Sequence, residues 1–499
     1  MSISFNNIPN TVRTPGAYSE VDNSRALKGL VANPHKVLII GQKKSTGTAD
    51  LAKVLAITSE NVADGYFGAG SLLSRMCKKF KGVNKNTELF AIALSGGTNA
   101  ASAVIHFSVA LSYAGGSVSA GGGTVHMLVN GKPAQVVLTS MWSVTDINSA
   151  YKTLINADVT YGVVASTNAT SGLVLSAINS GLAGNYLDAR FNYYDGETHP
   201  TVFKDSVTVT GFSGGSGDPS LDDVWAVIGN DQYQYIVNPY IEAANLTSLE
   251  SELADRFKPL EDKWGHGFTG LRATLASCTT LGNSRNSPHN TIIGAYDSPT
   301  PPEEWAAVWA AVAAQYLNND PARPLQFLTL PGILPPPSNN QFTRDERDTL
   351  LYDGIATWVV DAGGNVQIER SITTYQTSPL GALDPSYLDV ETLATLAEIR
   401  YQYKAKMNTQ FIAARYKLAD DTFPVQAGSY VVTPKTIRQT IISLFTSLYD
   451  KGLIEDLETF KTNLIVERNE TDRNRVDVLM PPDVVNQFRV LAGLVQFIL

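Results

Sequence analysis

Short apolar runs alternate with helix-like segments along two stretches of the chain. In the first stretch, the apolar residues 37–40 precede a helix-like segment at about residues 70–79, and a second apolar run covers residues 89–94. The same alternation resumes at Asp222 and continues to a helix-like segment at residues 305–317. Alternation of this kind is typical of a mostly parallel sheet with helices on both faces. The pattern therefore predicts a doubly wound α/β core.

The stretch between these two regions, residues 97–215, has a different pattern. Residues 124–139 form two apolar runs around Asn130-Gly131, and an Asn-Gly pair takes the positive φ values of a type I′ hairpin turn. A helix-like segment and further alternating strands follow. We interpret this stretch as a β-rich domain inserted into the core and joined back to it through the flexible residues 211–217.

The rest of the chain predicts a C-terminal domain and two extended arms. Helices at about residues 389–417 and 434–450 precede two short strands at 463–467 and 475–479, which a charged turn joins into a hairpin. The predicted order is an N-terminal extended arm (1–30), an α/β core domain (31–96 and 216–342), the inserted outer domain (97–215), a C-terminal inner domain (343–482) and a C-terminal arm strand (483–499).

Neither terminus has the apolar pattern of an element that could build a core of its own. The first arm carries prolines and only a thin scatter of apolar residues, which predicts extended backbone. Beyond Pro481-Pro482, residues 488–499 are apolar on both faces of a strand, with only Arg489 and Gln496 polar. An uncovered strand of this kind is an aggregation hazard. We therefore expect something to cover it.

Composition narrows the possible functions. Charged residues make up 17 % of the 499 residues, whereas globular chains average about 25 %. The net charge of −9 argues against a nucleic-acid-binding surface. Either partners cover part of the surface or uncharged polar residues supply its polarity.

Cysteine usage and the absence of long apolar runs indicate where the chain is made. Cys77 and Cys278 stand far apart and are predicted to be reduced core residues. The start of the chain lacks a secretory pattern, and no run approaches the ~18 apolar residues of a membrane span. We expect a product made in the cytosol that does not insert into a membrane.

Three patterns resemble chemical sites and lack what the chemistry requires. Residues 211–215 match G-x-S-x-G around Ser213, but residues 216–219 separate the serine from the next helix. Residues 41–47 follow a strand without the Gly-Lys-Ser/Thr ending of a phosphate loop. The six histidines are scattered without metal-ligand spacing. No catalytic residue, cofactor or metal is predicted, and an α/β hydrolase that uses Ser213 is the alternative of a different class.

The arms and the hairpin favour assembly instead. A free terminal strand and a hairpin are the parts needed for β-augmentation, in which the strand of one chain completes the sheet of another. A head-to-tail exchange that does not close generates a helical polymer. The other interpretation that the residues leave open is that both termini fold back on their own subunit.

Several segments resemble the contractile tail sheath proteins of bacteriophages, specifically the Mu-like branch. The N-terminal IPNTVRTPGAYSEVDNSRALKGL, the motif SRNSPH, the segment PLQFLTLPGILPPP and the motif YLDVE are among them. The matching segments are distributed along nearly the whole chain in the expected order: residues 8–30, 184–185, 222–249, 284–289, 324–337, 351–375, 387–391 and 467–499.

The resemblance implies a structural subunit and no enzyme. Such a subunit stacks around a tail tube as hexameric rings in a helical homopolymer, contracts after baseplate triggering, and drives the tube through the host envelope for genome ejection. The implied core has subtilisin-like topology without proteolysis. The implied partners are other copies of the chain, the tail tube protein, and baseplate and tail terminator proteins. The implied location is the virion, after assembly in the host cytoplasm. The sheath of a genome-less bacteriocin particle is the alternative within this class.

The resemblance also implies which residues exchange between subunits. A small shared sheet would contain the hairpin, the N-terminal segment of one neighbour and the C-terminal strand of another. The implied residues are Ala17, Tyr18, Val21, Leu464, Val466, Val476, Val478, Phe488, Val490, Leu494, Phe497 and Leu499.

A further hypothesis assigns weak, salt-screened contacts with the tube to Lys404, Lys406, Lys435 and Arg438. The alternative for these four residues is an ordinary solvated helix face. In such a polymer, the low charge reflects subunit surface that neighbours cover, with the inserted domain left facing solvent.

Overall fold

The computed structural model describes residues 14–17, 19, 30–96, 104–109, 123–138, 142, 144–168, 172–198, 207–426 and 428–498. The chain divides into two compact units. The core unit comprises the described residues of Pro34–Ala397 and Asn486–Leu499, and the C-terminal unit comprises those of Met1–Asn33 and Glu398–Val485. Each unit is described by itself.

The core unit contains most of the secondary structure. Its elements in chain order are β1 (Lys36–Gln42), β2 (Val54–Ala56), α1 (Glu60–Phe67), α2 (Leu72–Val83), β3 (Glu88–Leu94), β4 (Val104–Val109), β5 (Gly123–Val129), β6 (Lys132–Leu138), α3 (Val144–Ala157), β7 (Val163–Asn168), β8 (Gly172–Ala177), β9 (Ala189–Phe191), β10 (Val207–Val209), α4 (Asp222–Ile228), β11 (Tyr235–Asn238), α5 (Ala243–Phe257), β12 (His266–Leu271), α6 (Leu275–Asn283), β13 (Asn290–Gly294), α7 (Pro302–Asn319), α8 (Arg344–Tyr352), β14 (Ile355–Val360), β15 (Val366–Arg370) and the first part of α9 (Val390–Met407).

The largest sheet has eight strands in the order β15-β14-β13-β12-β11-β1-β3-β2. The six strands from β14 to β3 are parallel to their neighbours. The two edge strands, β15 and β2, pair antiparallel. The mostly parallel sheet that the alternating pattern predicts is therefore present.

Strand β1 shows why helices cover both faces of this sheet. Successive side chains of a strand point to opposite faces. Val37 and Ile39 join an apolar cluster with residues of α2 and α7, whereas Leu38 and Ile40 join a second cluster with residues of α4 and α5. The core is thus a parallel sheet between two helical layers, which confirms the predicted α/β class.

Helix α7 is buried on all sides. Residues 305–314 are at most 3 % exposed, and a helix that is apolar all round belongs in a core. Its first turn carries Glu303 and Glu304, which are also buried. Arg75 of α2 donates from one nitrogen to each of these carboxylates, at 2.7 and 2.6 Å. The guanidinium therefore compensates both buried carboxylates, and Lys79 adds a second cation to Glu304 at 3.3 Å.

We predict that Arg75→Leu destabilises the core unit, because it leaves the buried carboxylate of Glu303 without its cation and Glu304 with Lys79 alone. Loss of one partner of a buried ion pair costs about 3–5 kcal/mol. The measurement is the free energy of unfolding in denaturant. Arg344→Leu is the matched control, since that side chain is 87 % exposed and surface changes stay within about 0.5 kcal/mol. Equal stability of the two variants would contradict the prediction.

The end of the core lies further along the chain than the predicted boundary between residues 342 and 343. Strand β14 pairs parallel with β13 in the register Ile292↔Ile355, and β15 extends the same sheet. The two units divide between Ala397 and Glu398, within α9. The physical reason is that the hairpin of β14 and β15 completes the edge of the large sheet.

The described residues between β3 and α4 have an apolar cluster of their own. They form a sheet in the order β6-β5-β9 and another in the order β10-β4-β8-β7. Side chains of α3 pack with both sheets in this separate cluster. The hairpin of β5 and β6 turns on Asn130 and Gly131, with φ values of 50° and 76°, which confirms the predicted Asn-Gly hairpin.

The connection from β10 to α4 is hydrogen-bonded to the segment between β8 and β9. The side-chain amide of Asn185 donates to the carbonyl of Gly215 and accepts from its N–H, both at 2.8 Å. A Cβ at Gly215 would lie 2.3 Å from the carbonyl oxygen of Gly181, so only glycine fits. The sequence predicts a flexible linker over residues 211–217, and the structure adds these contacts of Gly215 with the segment between β8 and β9.

We predict that Asp218, beside this contact, makes stability depend on pH. Burial raises the pKa of Asp218 from 3.8 to about 6, and the nearby Glu242 adds to the effect. Folding therefore favours the neutral carboxyl. Its contribution is fully present below the unfolded pKa and is lost as pH rises through about 6.

The test compares the wild type with Asp218→Asn, which cannot titrate. The free energy of unfolding of the wild type relative to this variant should fall between pH about 4 and about 7. A difference that stays constant over this range would contradict the prediction.

The C-terminal unit contains the remainder of α9 and a set of short strands around two helices. A single π turn, Asn408–Ile412, ends the long helix earlier than the predicted residue 417. The further elements are β16 (Lys417–Leu418), β17 (Val431–Val432), α10 (Pro434–Asp450), β18 (Ile454–Glu455), α11 (Leu457–Asn463), β19 (Ile465–Arg468), β20 (Val476–Leu479) and β21 (Asp483–Val484).

Candidate functional site

Strands β19 and β20 form the predicted hairpin, with Val466 opposite Val478. Among the described residues, neither strand pairs with a third strand. Ile465 and Leu479 face each other across the hairpin and are 50 % and 58 % exposed. An isolated two-stranded sheet is marginally stable in water. The hairpin is therefore a sheet with two open edges.

Helices α10 and α11 hold this hairpin in place. Phe445 and Phe460 stack with ring centroids 4.0 Å apart. The guanidinium of Arg438 donates to the carbonyl oxygens of Lys461 and Leu464, at the end of α11. Leu464 is 3 % exposed and precedes β19. It is therefore a core residue of its own unit and lies outside the strand in which the sequence placed it.

The segment after Pro481-Pro482 begins with a short strand that is paired within its own unit. Residues Asp483–Val484 pair antiparallel with Ile454–Glu455. Residues 486–498 then form neither helix nor strand. The predicted terminal strand is not formed, because a strand needs a partner to complete its hydrogen bonds.

The apolar side chains of this segment face solvent. Seven of them are 70 to 99 % exposed: Phe488, Val490, Leu491, Leu494, Val495, Phe497 and Ile498. Soluble chains rarely expose a continuous apolar surface of this kind without a function, and it marks a site of interaction. We call residues 490–498 the apolar tail.

The base of the apolar tail is held by polar contacts. The Gln326 side chain donates to the carbonyl oxygen of Phe488 at 3.0 Å. Arg489 reaches the carboxylates of Asp389 and Glu391, at 3.0 and 3.2 Å. The sequence shows Arg489 only as a polar residue within an apolar run, and nothing local indicates its distant partners.

Part of the predicted N-terminal exchange segment lies outside the described residues. Tyr18 and Val21 are not described, and neither is Leu499 at the other terminus. Ala17 is exposed. Further along, the Gln402 side chain accepts from the N–H of Val31 at 2.9 Å and donates to its carbonyl at 2.7 Å. The end of the N-terminal arm is thereby fixed to α9.

The four basic residues proposed to contact the tube differ in environment. Lys404 and Lys406 are exposed near the end of α9, and Lys435 is exposed in the first turn of α10. Arg438 is half-buried, and its guanidinium caps α11 as described above. A structural role explains Arg438, and contact with a tube stays a prediction for all four.

The patterns that resemble chemical sites do not form them. After Ser213, the chain continues without a helix until α4 begins at Asp222, so residues 207–228 lack the strand–turn–helix geometry of a nucleophile elbow. In the described part of the chain, no group of His, Cys, Asp and Glu side chains could hold a metal ion. No helix among the described residues is both long enough and apolar enough to span a bilayer.

A polar cleft of about 600 Å³ lies beside α2 and the hairpin of β5 and β6. Three lysines line it. Each lysine is paired with a carboxylate: Lys78 with Asp64, Lys79 with Glu304 and Lys132 with Asp158. Two of these pairs lie among helices of the large sheet and one lies within the inserted region, so each lysine at the cleft is neutralised by a carboxylate of its own part.

The open hairpin and the exposed apolar tail define a protein that assembles with other chains. Residues 214–374 match the central domain of phage tail sheath proteins, and residues 383–498 match the C-terminal domain of these proteins. The chain is 37 % identical to the Mu-like prophage FluMu tail sheath protein of Haemophilus influenzae over 504 residues, which covers all of both chains. The chain therefore belongs to the phage tail sheath family and is a structural sheath subunit. This relationship also confirms the resemblance to the Mu-like branch.

Two solved structures of sheath tail proteins share little sequence with this chain. The sheath tail protein of Listeria innocua is 13 % identical, with a TM-score of 0.48, and the similarity covers 93 % of this chain and 95 % of that one. The sheath tail protein of Desulfitobacterium hafniense is 12 % identical, with a TM-score of 0.48, over 94 % of this chain and 100 % of that one.

Proposed function

We propose that this subunit polymerises around a tail tube by exchange of its arms, and that the polymer contracts to drive the tube through a host envelope. The observation that carries the proposal is the combination of a two-stranded sheet with open edges and an apolar tail that has no strand partner among the described residues. The sheet edges lack a strand partner and the tail lacks a sheet. β-Augmentation, which joins an open edge to a free strand, would complete both.

The dimensions of the parts fit this exchange. The apolar tail could extend for about 30 Å at ~3.3 Å per residue, which exceeds the length of the four-residue strands Ile465–Arg468 and Val476–Leu479. Its side chains are apolar on both faces, as expected for a strand that is covered on both sides. A segment around Ala17–Val21 of another neighbour would occupy the second edge.

Contraction requires contacts that persist and contacts that change. Backbone hydrogen bonds in a shared sheet depend little on side chains, so they can persist while the subunit bodies repack around them. A surface buried in two different arrangements is best made of uncharged polar groups, because a buried unpaired charge is costly. The charged fraction of 17 % agrees with this requirement.

The proposal includes the finer assignments made from the sequence. We assign residues 1–30 and 483–499 to the arms, 97–215 to an outer inserted domain that faces solvent, and the C-terminal domain to the inner surface. The core would share subtilisin topology without proteolysis. The proposed partners are other copies in hexameric rings, the tail tube, the baseplate and the tail terminator. A virion sheath assembled in the host cytoplasm and a bacteriocin sheath are both compatible with these assignments.

We predict that removal of residues 491–499 gives a folded subunit that does not polymerise. The deletion keeps Arg489 and therefore keeps the buried charges of the core unit compensated. Electron microscopy and analytical ultracentrifugation would show discrete particles in place of tubes, while circular dichroism stays unchanged. Tubes of normal length from the truncated chain would exclude strand exchange through the tail.

A pair of point variants tests the backbone hydrogen bonds directly. Leu494→Pro removes an N–H donor from the tail, and Leu494→Ser removes an apolar side chain but keeps the donor. If the tail adds as a strand, the proline variant should impair polymerisation much more than the serine variant. Equal impairment would indicate that apolar contact alone is responsible.

We predict that the triple variant Lys404→Glu, Lys406→Glu, Lys435→Glu weakens assembly on the tube at low salt. Exposed charges interact over about one Debye length, so the wild type should also lose tube binding as salt rises. Co-sedimentation of the subunit with purified tube measures the effect. The control with the same charge change is Lys53→Glu, Lys85→Glu, Lys258→Glu, at exposed positions of the core unit. Unchanged tube binding in the first variant would remove the tube contact.

A further inference from the structure

The base of the apolar tail carries a charged contact that an ordinary surface segment does not make. The side chain of Arg489 is 13 % exposed, and that of its partner Glu391 is fully buried. Its other carboxylate partner, Asp389, is 13 % exposed. One residue later, Val490 is 80 % exposed. The transition from a buried cation to an exposed apolar chain therefore occurs within a single residue.

The contact is built from several elements of the core unit. Glu391 accepts from the backbone N–H of Leu325 at 2.8 Å. Gln326, the next residue, accepts from Arg489 at 3.2 Å and donates to the carbonyl of Phe488 at 3.0 Å. Gln326 therefore fixes both the backbone of Phe488 and the side chain of Arg489.

The charges at this site balance only when Arg489 is present. Arg370 binds Asp389 through two hydrogen bonds of 2.9 Å each. That pairing leaves Glu391 with Arg489 as its cation. Burial raises the pKa of Glu391, and the charge of Arg489 opposes this effect. If Arg489 moved away, a carboxylate would stay buried without a cation, which is strongly unfavourable.

We propose that the carboxylates of Asp389 and Glu391 are a docking site for Arg489 of the same chain, and that this site divides the C-terminal arm into a fixed base and an exchangeable strand. The base, residues 488–489, stays on its own core unit before and after assembly. Only the part of the apolar tail beyond residue 490 moves to a neighbour. It pivots after residue 490, whose backbone follows the fixed base directly, and residues 491–498 set the length of the connection between subunits. The second part of this proposal rests on the strand exchange proposed above.

The experiment uses nitroxide labels on introduced cysteines of the full chain. Cys77 and Cys278 are both 0 % exposed, so a label attaches selectively to Val490→Cys or to Phe497→Cys. Electron paramagnetic resonance then reports label mobility in soluble subunits and in polymer, separated by ultracentrifugation. We expect the label at 490 to be immobilised in both fractions, and the label at 497 to be mobile in soluble subunits and immobilised in polymer.

Charge variants identify the docking site. Arg489→Gln should lose the immobilised signal at 490 in soluble subunits, and Arg323→Gln, at an exposed position of the same unit, should keep it. The double variant Arg489→Gln, Glu391→Gln removes both buried charges. It therefore restores folding if the single variant is unstable, and its label at 490 should still be mobile.

Two outcomes would overturn the proposal. An immobilised label at 490 in the folded double variant would show that Arg489 does not hold the base. Release of the label at 490 on polymerisation of the wild type would show that the base also leaves its own subunit. A label at 497 that stays mobile in polymer counts against strand exchange alone, because the docking site is judged in soluble subunits.

Discussion

The hydrogen-bonding groups on the two open edges of the hairpin β19–β20 set the main constraint on this molecule. A strand edge without a partner must be solvated or must pair with another strand, and the same chain carries an apolar tail whose large apolar side chains are 80 to 99 % exposed. Neither part is completed by the described residues. The hairpin belongs to the C-terminal unit and the tail to the core unit. The core unit contains the large parallel sheet between helical layers and a central helix, α7, that is buried on every side.

Charge is used sparingly in this body, and where it is buried it is compensated. Arg75 pairs with Glu303 and Glu304. Arg272 of the large sheet pairs with Asp188 of the inserted region at 2.5 Å. Each of these contacts joins elements far apart in sequence, so each fixes one part of the core unit to another.

The sequence predicts best those elements whose pattern is local. The runs at β1 and β3, the Asn-Gly turn and the apolar helix α7 all have a periodicity that specifies them. Strand β12, with the sequence HGFTGL, has no such pattern. Its Gly270 is explained only by the fold, because a Cβ there would lie 1.9 Å from the carbonyl oxygen of Pro302. The predicted domain boundary between residues 342 and 343 separates β14 and β15 from the large sheet, because nothing in a hairpin pattern tells which sheet the hairpin joins.

The candidate site shows the same limit. Alternation and the proline pair were enough to predict the hairpin and an arm beyond it. The partners of Arg489 are a hundred residues away along the chain, and the packing of Leu464 against its own helices depends on tertiary structure. The state of the two thiols follows from the fold as well. Burial raises the pKa of Cys278 to about 12 and that of Cys77 further, and a buried thiol with a raised pKa is chemically inert. These two residues therefore present no accessible thiolate, and air oxidation cannot crosslink copies of the subunit through them.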